Sequence, residues 1–322
     1  MPKPSTAGNL SSGSGVARPH PSPAAPRVSV GVPVYNGEAF LRQTLDSLLA
    51  QTFRDFELII ADNASTDGTA AICQEYAGRD SRIRYVRNEV NIGANPNFNR
   101  LVALARAPYF KLANADDLCH PELLARCVSV LDHHPEAVLC YARAQLIDEH
   151  GRVIRDYDDN LDLRSPRASD RFKAVFERLG LVNVPQGVTR TDVLRKVSRM
   201  ASYPGADGHL VAELALYGEF YEVPDRLFFR RMHAGASSAL TTLEEVQALV
   251  DPSRTAPSFR TVHAHIAHLT ALVRAPLSLH ERLAVTHWVV RSLIWHRRKL
   301  GREILHFLRF SRRKPRRREQ SR

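Results

Sequence analysis

No apolar run in this 322-residue chain reaches the roughly 18 residues that span a bilayer, which argues against an integral membrane protein. Cysteine is scarce. Cys73, Cys119, Cys127 and Cys140 form no CxxC pair and have no matching histidine partners. That argues against a zinc ribbon or a disulfide framework, and reduced thiols in a reducing cytosol are expected. Residues 1–26 lack the apolar centre of a secretory signal and hold only two basic residues. Six Pro, five Ser and three Gly there predict a disordered leader. No internal repeat is visible. What the chain does have is 44% hydrophobic residues, enough for a sizeable core.

The formal charge is +11, which invites a nucleic-acid or anionic-membrane reading. The charge is concentrated, however. Residues 297–322 hold 12 Lys and Arg against two acids, a net +10, and residues 1–26 add +2. The 270 residues between them are left at −1. Nucleic acid is therefore not the expected partner, because no recognition module accompanies the tail. The tail reads as a solvated extension or as a basic amphipathic segment for an anionic membrane surface. Trp288 and Trp295, seven apart, fit core packing or anchoring at a bilayer interface.

From Arg27 the pattern alternates between strand and helix. Val28–Val34, Phe56–Ala61, Ile83–Val86, Tyr109–Leu112 and Ala137–Tyr141 read as buried strands. Helical spacing lies between them, with Pro121 opening one helix. This order predicts an α/β fold, with a mostly parallel sheet sandwiched by helices. Residues 150–170 read as a long loop, and Phe220–Val223 and Leu227–Phe229 as two strands. A helix over His209–Tyr217 stops at Gly218, and the chain beyond Leu243 reads as a helical C-terminal extension. His263, His265 and His268 are expected to be solvated.

Ligands of such sheets bind beyond the carboxyl ends of the strands, where three polar clusters fall. These are Tyr35–Asn36, Asp62–Asn63 and Asp116–Asp117. Two adjacent carboxylates repel each other, and a divalent cation offsets that repulsion. Oxygen ligands suit Mg²⁺ or Mn²⁺ shared with substrate phosphates. The alternative for both acidic clusters is helix capping and turn formation.

The segments VSVGVPVYNGEAFLRQTLDSLLAQTFRDFELIIADNASTDGT and NEVNIGANPNFNRLVALARAPYFKLANADD, in that order, resemble the family 2 glycosyltransferases of GT-A fold. The resemblance covers about residues 27–145. It implies an inverting enzyme with a nucleotide-sugar donor and a divalent metal. It places Pro33, Val34, Tyr35 and Asn36 at the nucleotide, Asp62 at the base, and Ser65, Asp67 and Asn91 nearby at the donor. Asn114, Asp116 and Asp117 would serve the ribose and the metal-bound diphosphate, with Asp117 and Asp116 as metal ligands. Asn114 stands where the family usually has an acid.

A second match lies at 205–233. There Asp207 corresponds to the catalytic base, and Arg231 and His233 to diphosphate contacts. Ala206 replaces the more usual Glu. One carboxylate suffices to take the acceptor's proton in an inverting transfer.

The implied division is 27–240 for the transferase domain, with 27–145 for the donor and 146–240 for the acceptor. A helical extension over 241–296 and the basic tail over 297–322 follow. The implied function is transfer to a saccharide or lipid-linked acceptor in cell-envelope or exopolysaccharide synthesis. The expected location is the cytoplasm, peripheral at the inner face of the membrane. A competing nucleotidyltransferase would need Lys or Arg in the loop after the first strand, and Tyr35–Glu38 has neither. An inactive sugar-nucleotide- or glycan-binding protein of the same fold is the alternative that Asn114 and Ala206 keep open.

Overall fold

The computed structural model describes residues 25–253 and 259–313. The leader up to residue 24 and the tail from 314 lie outside the described residues. The first half alternates as the sequence predicts: β1 (Val28–Val34), α1 (Leu41–Leu49), β2 (Phe56–Asp62), α2 (Thr69–Arg79), β3 (Ile83–Arg87), α3 (Ala94–Leu104) and β4 (Tyr109–Leu112). These four strands are parallel, in the order β3-β2-β1-β4. The chain builds outward from β1 to β3, then crosses back to set β4 on β1's other side. The order therefore reverses at β1, and a crevice opens at its carboxyl end. Burial on both faces explains the unbroken Val/Ile runs of β1 and β2. Leu58 and Ile60 pack with Leu41, Leu45 and Ile72, whereas Ile59 and Ala61 pack with Phe98 and Leu101 on the opposite face.

Beyond β4 the sheet becomes mixed. A short β5 (Leu118–Cys119) leads to α4 (Leu123–His133) and the long β6 (Ala137–Ile147). Within the expected loop lies β7 (Val153–Tyr157), an edge strand on β6. Its residues are almost all exposed, so it carries no hydrophobic alternation to read. Then come α5 (Ala168–Arg178), β8 (Val188–Arg190), α6 (Thr191–Lys196), α7 (Ala206–Tyr217) and β9 (Glu219–Arg231). The two expected strands around Pro224 are one. Val223 pairs with Ala142 and Arg226 with Arg143, so Pro224 and Asp225 bulge out of the ladder. A residue without an N–H is tolerated there. β5 pairs with β9, which draws residues 230–233 towards Asp116 and Asp117.

The C-terminal helices are α8 (Leu243–Val250), α9 (Arg260–Arg274) and α10 (Leu279–Arg313). Ala271, Leu272, Val285 and Val289 join the same core as α7's Leu210 and Leu214. Among the described residues, no helix is long and apolar enough to cross a membrane. The four cysteines are buried and unpaired. Trp295 is 58% exposed, so the core reading of the tryptophan pair does not hold for it.

α8 lies across the start of α3. Gly93 has φ +88°, and a Cβ there would stand 2.2 Å from the Val250 carbonyl oxygen. Gly93→Ala is expected to lower stability by about 1–3 kcal/mol, read as a drop in the unfolding midpoint.

The histidines of α9 correct the expectation of solvated rings. His265 and His268 are each 6% exposed. They share one helical face with the buried Thr261 and Leu272, at i, i+4, i+7 and i+11. His265 Nδ1 donates to the Thr261 carbonyl (2.7 Å), and His209 Nε2 on α7 donates to the Ala264 carbonyl (2.9 Å). Burial, then the neighbouring rings, hold His209 down to about 4 and His268 well below the usual imidazole range. Tyr203, Glu213, His263 and Arg274 face the same interface. Depressed imidazoles contribute stability above their unfolded pKa near 6.5 and lose it as pH falls towards 4. The unfolding free energy is expected to drop by about 2–3 kcal/mol for His209 alone across that window. His209→Phe should flatten the pH dependence measured by urea titration.

Candidate functional site

The crevice at β1 is a cavity of about 690 Å³. One wall is the turn after β1, where Pro33, Val34, Tyr35 and Asn36 line it. Register sets Val34 beside Asp62, and the Asn63 N–H donates to the Val34 carbonyl (2.8 Å). The loops after β1 and β2 then latch together. Asn36 N–H donates to Ser65 Oγ (3.0 Å), and Thr66 N–H donates to Asn36 Oδ1 (2.8 Å). Glu38 N–H donates to Asp67 Oδ2 (3.1 Å), and Gly68 N–H returns a bond to Glu38 Oε2 (2.7 Å).

Ser65 and Asp67, expected at the donor, are therefore latch residues and do not line the cavity. Asp62 does not line it either. It is fully buried. Its Oδ1 accepts from Ser65 N–H (2.8 Å), and its Oδ2 accepts from the Tyr85 hydroxyl (2.8 Å) and Arg87 Nη1 (2.7 Å). Asn63 takes the wall position instead.

The second wall is a set of asparagines. Asn63 Nδ2 donates to Asn91 Oδ1 (2.7 Å), and Asn88 Nδ2 donates to Asn63 Oδ1 (2.8 Å) and Asn97 Oδ1 (3.1 Å). Asn97 Nδ2 ties the set to the Ala61 carbonyl (2.7 Å). Asn63, Asn91 and Asn97 face the cavity. Of these, sequence reasoning named Asn91 as a donor contact and Asn63 only as part of a polar cluster. The signal for the rest was five asparagines between 88 and 99.

The floor is the acidic corner after β4. Asp117 is buried. Its Oδ1 accepts from the Arg231 backbone N–H (2.9 Å), and its Oδ2 from Asn114 Nδ2 (2.9 Å). Burial first, then Asp116, push its carboxyl up to about 7. Asp116 is more open, and its Oδ2 lies 3.1 Å from His233 Nε2. The His233 ring rests 4.6 Å from the ring of Phe40. Asn114, Asp116, Asp117 and His233 all line the cavity. Among the described residues, no three His, Cys, Asp or Glu side chains converge as a metal cage. One open carboxylate beside one imidazole nevertheless suits a cation whose remaining ligands are phosphate oxygens and water.

The two arginines at the end of β9 behave differently. Arg231 is 1% exposed and fully engaged. Its Nε donates to the Asp116 carbonyl (2.8 Å), Nη1 to the carbonyls of Asp148 (3.2 Å) and Glu149 (2.8 Å), and Nη2 to Gln43 Oε1 (2.8 Å). Arg230 also lines the cavity, held through Nη1 alone by the Leu181 carbonyl and Asn183 Oδ1. Its Nε and Nη2 have no hydrogen-bond partner among the described residues, whereas sequence reasoning named Arg231 as the diphosphate contact.

Asp207 stands apart. It is exposed in the first turn of α7, with Oδ1 accepting from Gly208 N–H (2.9 Å), and it does not line this cavity.

A curled, mixed sheet between helix layers, with a polar cavity at the strand-order reversal, is the GT-A fold of glycosyltransferases. The chain shares it with Staphylococcus aureus TarS residues 1–349, solved with UDP-GlcNAc: TM-score 0.62, 17% identity, covering 83% of this chain and 72% of that one. Residues 29–186 match the family Glycosyl transferase family 2. Among its relatives, the uncharacterized protein Rv1520 of Mycobacterium tuberculosis is 33% identical over 207 residues, 62% of this chain and 57% of its own length. The putative glycosyltransferase EpsE of Bacillus subtilis is 33% identical over 129 residues, 40% of this chain and 46% of its own. The chain spans about half the length of the curated relatives it matches first.

Proposed function

We propose that the chain is an inverting glycosyltransferase that moves a sugar from a nucleoside diphosphate sugar to a saccharide or lipid-linked acceptor in surface polysaccharide synthesis. The observation that carries this reading is the cavity, where the β1 turn, the asparagine wall and the acidic corner meet. The latched loops and Asn63 would hold the nucleoside, with Asp62 fixing the loop from behind. Arg230 would meet the diphosphate. Asp116 and His233 would hold Mg²⁺ or Mn²⁺, with Asp117 behind them, and the ion would act as a Lewis acid on the leaving diphosphate. The acceptor hydroxyl gives its proton to a carboxylate as its oxygen bonds to the anomeric carbon. The bond from that carbon to the diphosphate oxygen breaks, and the nucleoside diphosphate leaves.

Asp207 is the motif's base. Its absence from the cavity lining favours the second reading, an inactive glycan- or sugar-nucleotide-binding protein. Turnover by the unaltered chain separates the two, and unchanged turnover in a folded Asp207→Asn variant would remove Asp207 as base. For the donor site, a thermal-shift series with UDP-, GDP- and dTDP-sugars, with and without Mn²⁺, is the direct test. One nucleotide should give a metal-dependent shift, and no shift with any of them overturns the reading.

Membrane placement is part of the same proposal. Arg297, Arg298 and Lys299 are exposed on α10 beside the exposed Ile294 and Trp295. Removing 297–322 should abolish co-sedimentation with anionic vesicles, and unchanged sedimentation would rule out the tail.

A further inference from the structure

A second cavity of about 260 Å³ lies between α7, α9 and the 198–203 segment. Its lining includes Tyr203, His209, Glu213, His263, His268 and Arg274. Ala206, the residue before Asp207, is also in the lining. The 198–203 segment also links it to the donor side, because Asn95 Nδ2 donates to the Ala201 carbonyl (2.7 Å) and Asn99 Nδ2 to the Met200 carbonyl (2.8 Å).

The chemistry of this cavity is specific. His268 is 94% buried by its 6% exposure, lines the space and has no hydrogen-bond partner among the described residues. As a neutral ring it offers one donor and one acceptor. His209 donates from Nε2 to a carbonyl, so its Nδ1 is left as an acceptor. Neither ring's nitrogens are among the sealed, unpartnered atoms of the described residues, so they are open to bond water or a ligand. Tyr203 and His263 stack at 5.2 Å with 18° between their planes, making an aromatic platform. The charged pair cancels internally: Arg274 Nε donates to Glu213 Oε1 (3.2 Å), while Glu213 Oε2 accepts from Ser198 N–H (3.0 Å). Arg199 also lines the cavity, exposed and without an ion pair among the described residues.

Hydroxyls both donate and accept, and the C–H face of a sugar packs on an aromatic ring. The volume falls below the ~300–1,000 Å³ of sites for drug-sized ligands, so it suits a single ring. We propose that this cavity is an acceptor subsite that binds one sugar ring, with His268 and His209 bonding its hydroxyls and the Tyr203–His263 platform packing on its face. As an acceptor subsite it rests on the transferase reading above.

The test is saturation-transfer difference NMR on the full chain with methyl glycosides of glucose, galactose, mannose, rhamnose and N-acetylglucosamine. Nucleotide thermal shifts on the same samples report the donor site. At least one glycoside should give a signal that survives saturating UDP or GDP and Asp116→Asn. His268→Phe, which keeps the ring contacts with Phe172 and Phe176, should weaken it about tenfold. Ala267→Leu, which fills the cavity without removing a hydrogen bond, should weaken it likewise and covers the case in which His268→Phe does not fold. No signal from any glycoside, or a signal unchanged in the folded variants, overturns the proposal. Nucleotide shifts without glycoside signals would sink this inference alone. Glycoside signals without nucleotide shifts would keep the sugar site and sink the donor reading.

Discussion

Arg231→Met is expected to destabilise the protein by about 3–5 kcal/mol, with the loss visible in the absence of any ligand. Arg231 is among the largest fully buried side chains, and its guanidinium caps three backbone carbonyls, at Asp116, Asp148 and Glu149. Methionine fills part of the volume but returns no donor, so those carbonyls lose partners that water reaches poorly. The guanidinium also lies 4.7 Å over the Phe40 ring, which supports the far side of the cavity. Chemical denaturation of the unliganded protein measures this. If Arg231 were instead a diphosphate ligand, stability would hold and only nucleotide affinity would fall. Arg230→Gln is the contrasting variant, expected to leave the unfolding midpoint in place while weakening nucleotide binding.

Asp116→Asn is expected to leave the fold intact and to lower turnover about 10²–10³-fold, the scale seen when one electrostatic stabiliser of a transition state is removed. The side chain is 30% exposed, and its contact is the single pair with His233, so its loss opens no cavity. The amide keeps the shape and removes the charge that a cation would neutralise. The Mn²⁺-dependent part of the nucleotide thermal shift should vanish, while any metal-independent part stays. A full metal-dependent shift in Asp116→Asn would move the ligand role to Asp117.

The parallel half of the sheet was legible because strands buried on both faces are written as unbroken apolar runs. β1, β2 and β4 stand as the sequence predicts, and the polar residues after them meet. Exposed β7 and three-residue β8 had no such run to show. Sequence reasoning singled out Arg231 on β9. The structure sets both Arg230 and Arg231 along the cavity, Arg231 buried against backbone carbonyls and Arg230 with part of its guanidinium unengaged. Which arginine keeps free donors depends on the carbonyls that the fold brings to each, and nothing local in the sequence shows them. Ser65 and Asp67 were correctly placed at the strand end, but their targets are backbone N–H groups of the β1 loop 29 residues earlier, a pairing only the fold creates. The α9 histidines had the right helix and the wrong face, because the packing of α5, α7 and α10 decides which side is covered.

The latch between the loops after β1 and β2 has a thermodynamic consequence. Binding sites made of loops usually lose conformational freedom when their ligand arrives, and affinity falls by that amount. Here at least four reciprocal bonds tie the two loops together with no ligand present. The ordering is complete once the chain has folded, so a ligand entering this cavity would meet a surface already in its final shape. The free energy of that contact goes into affinity instead of into arranging the protein.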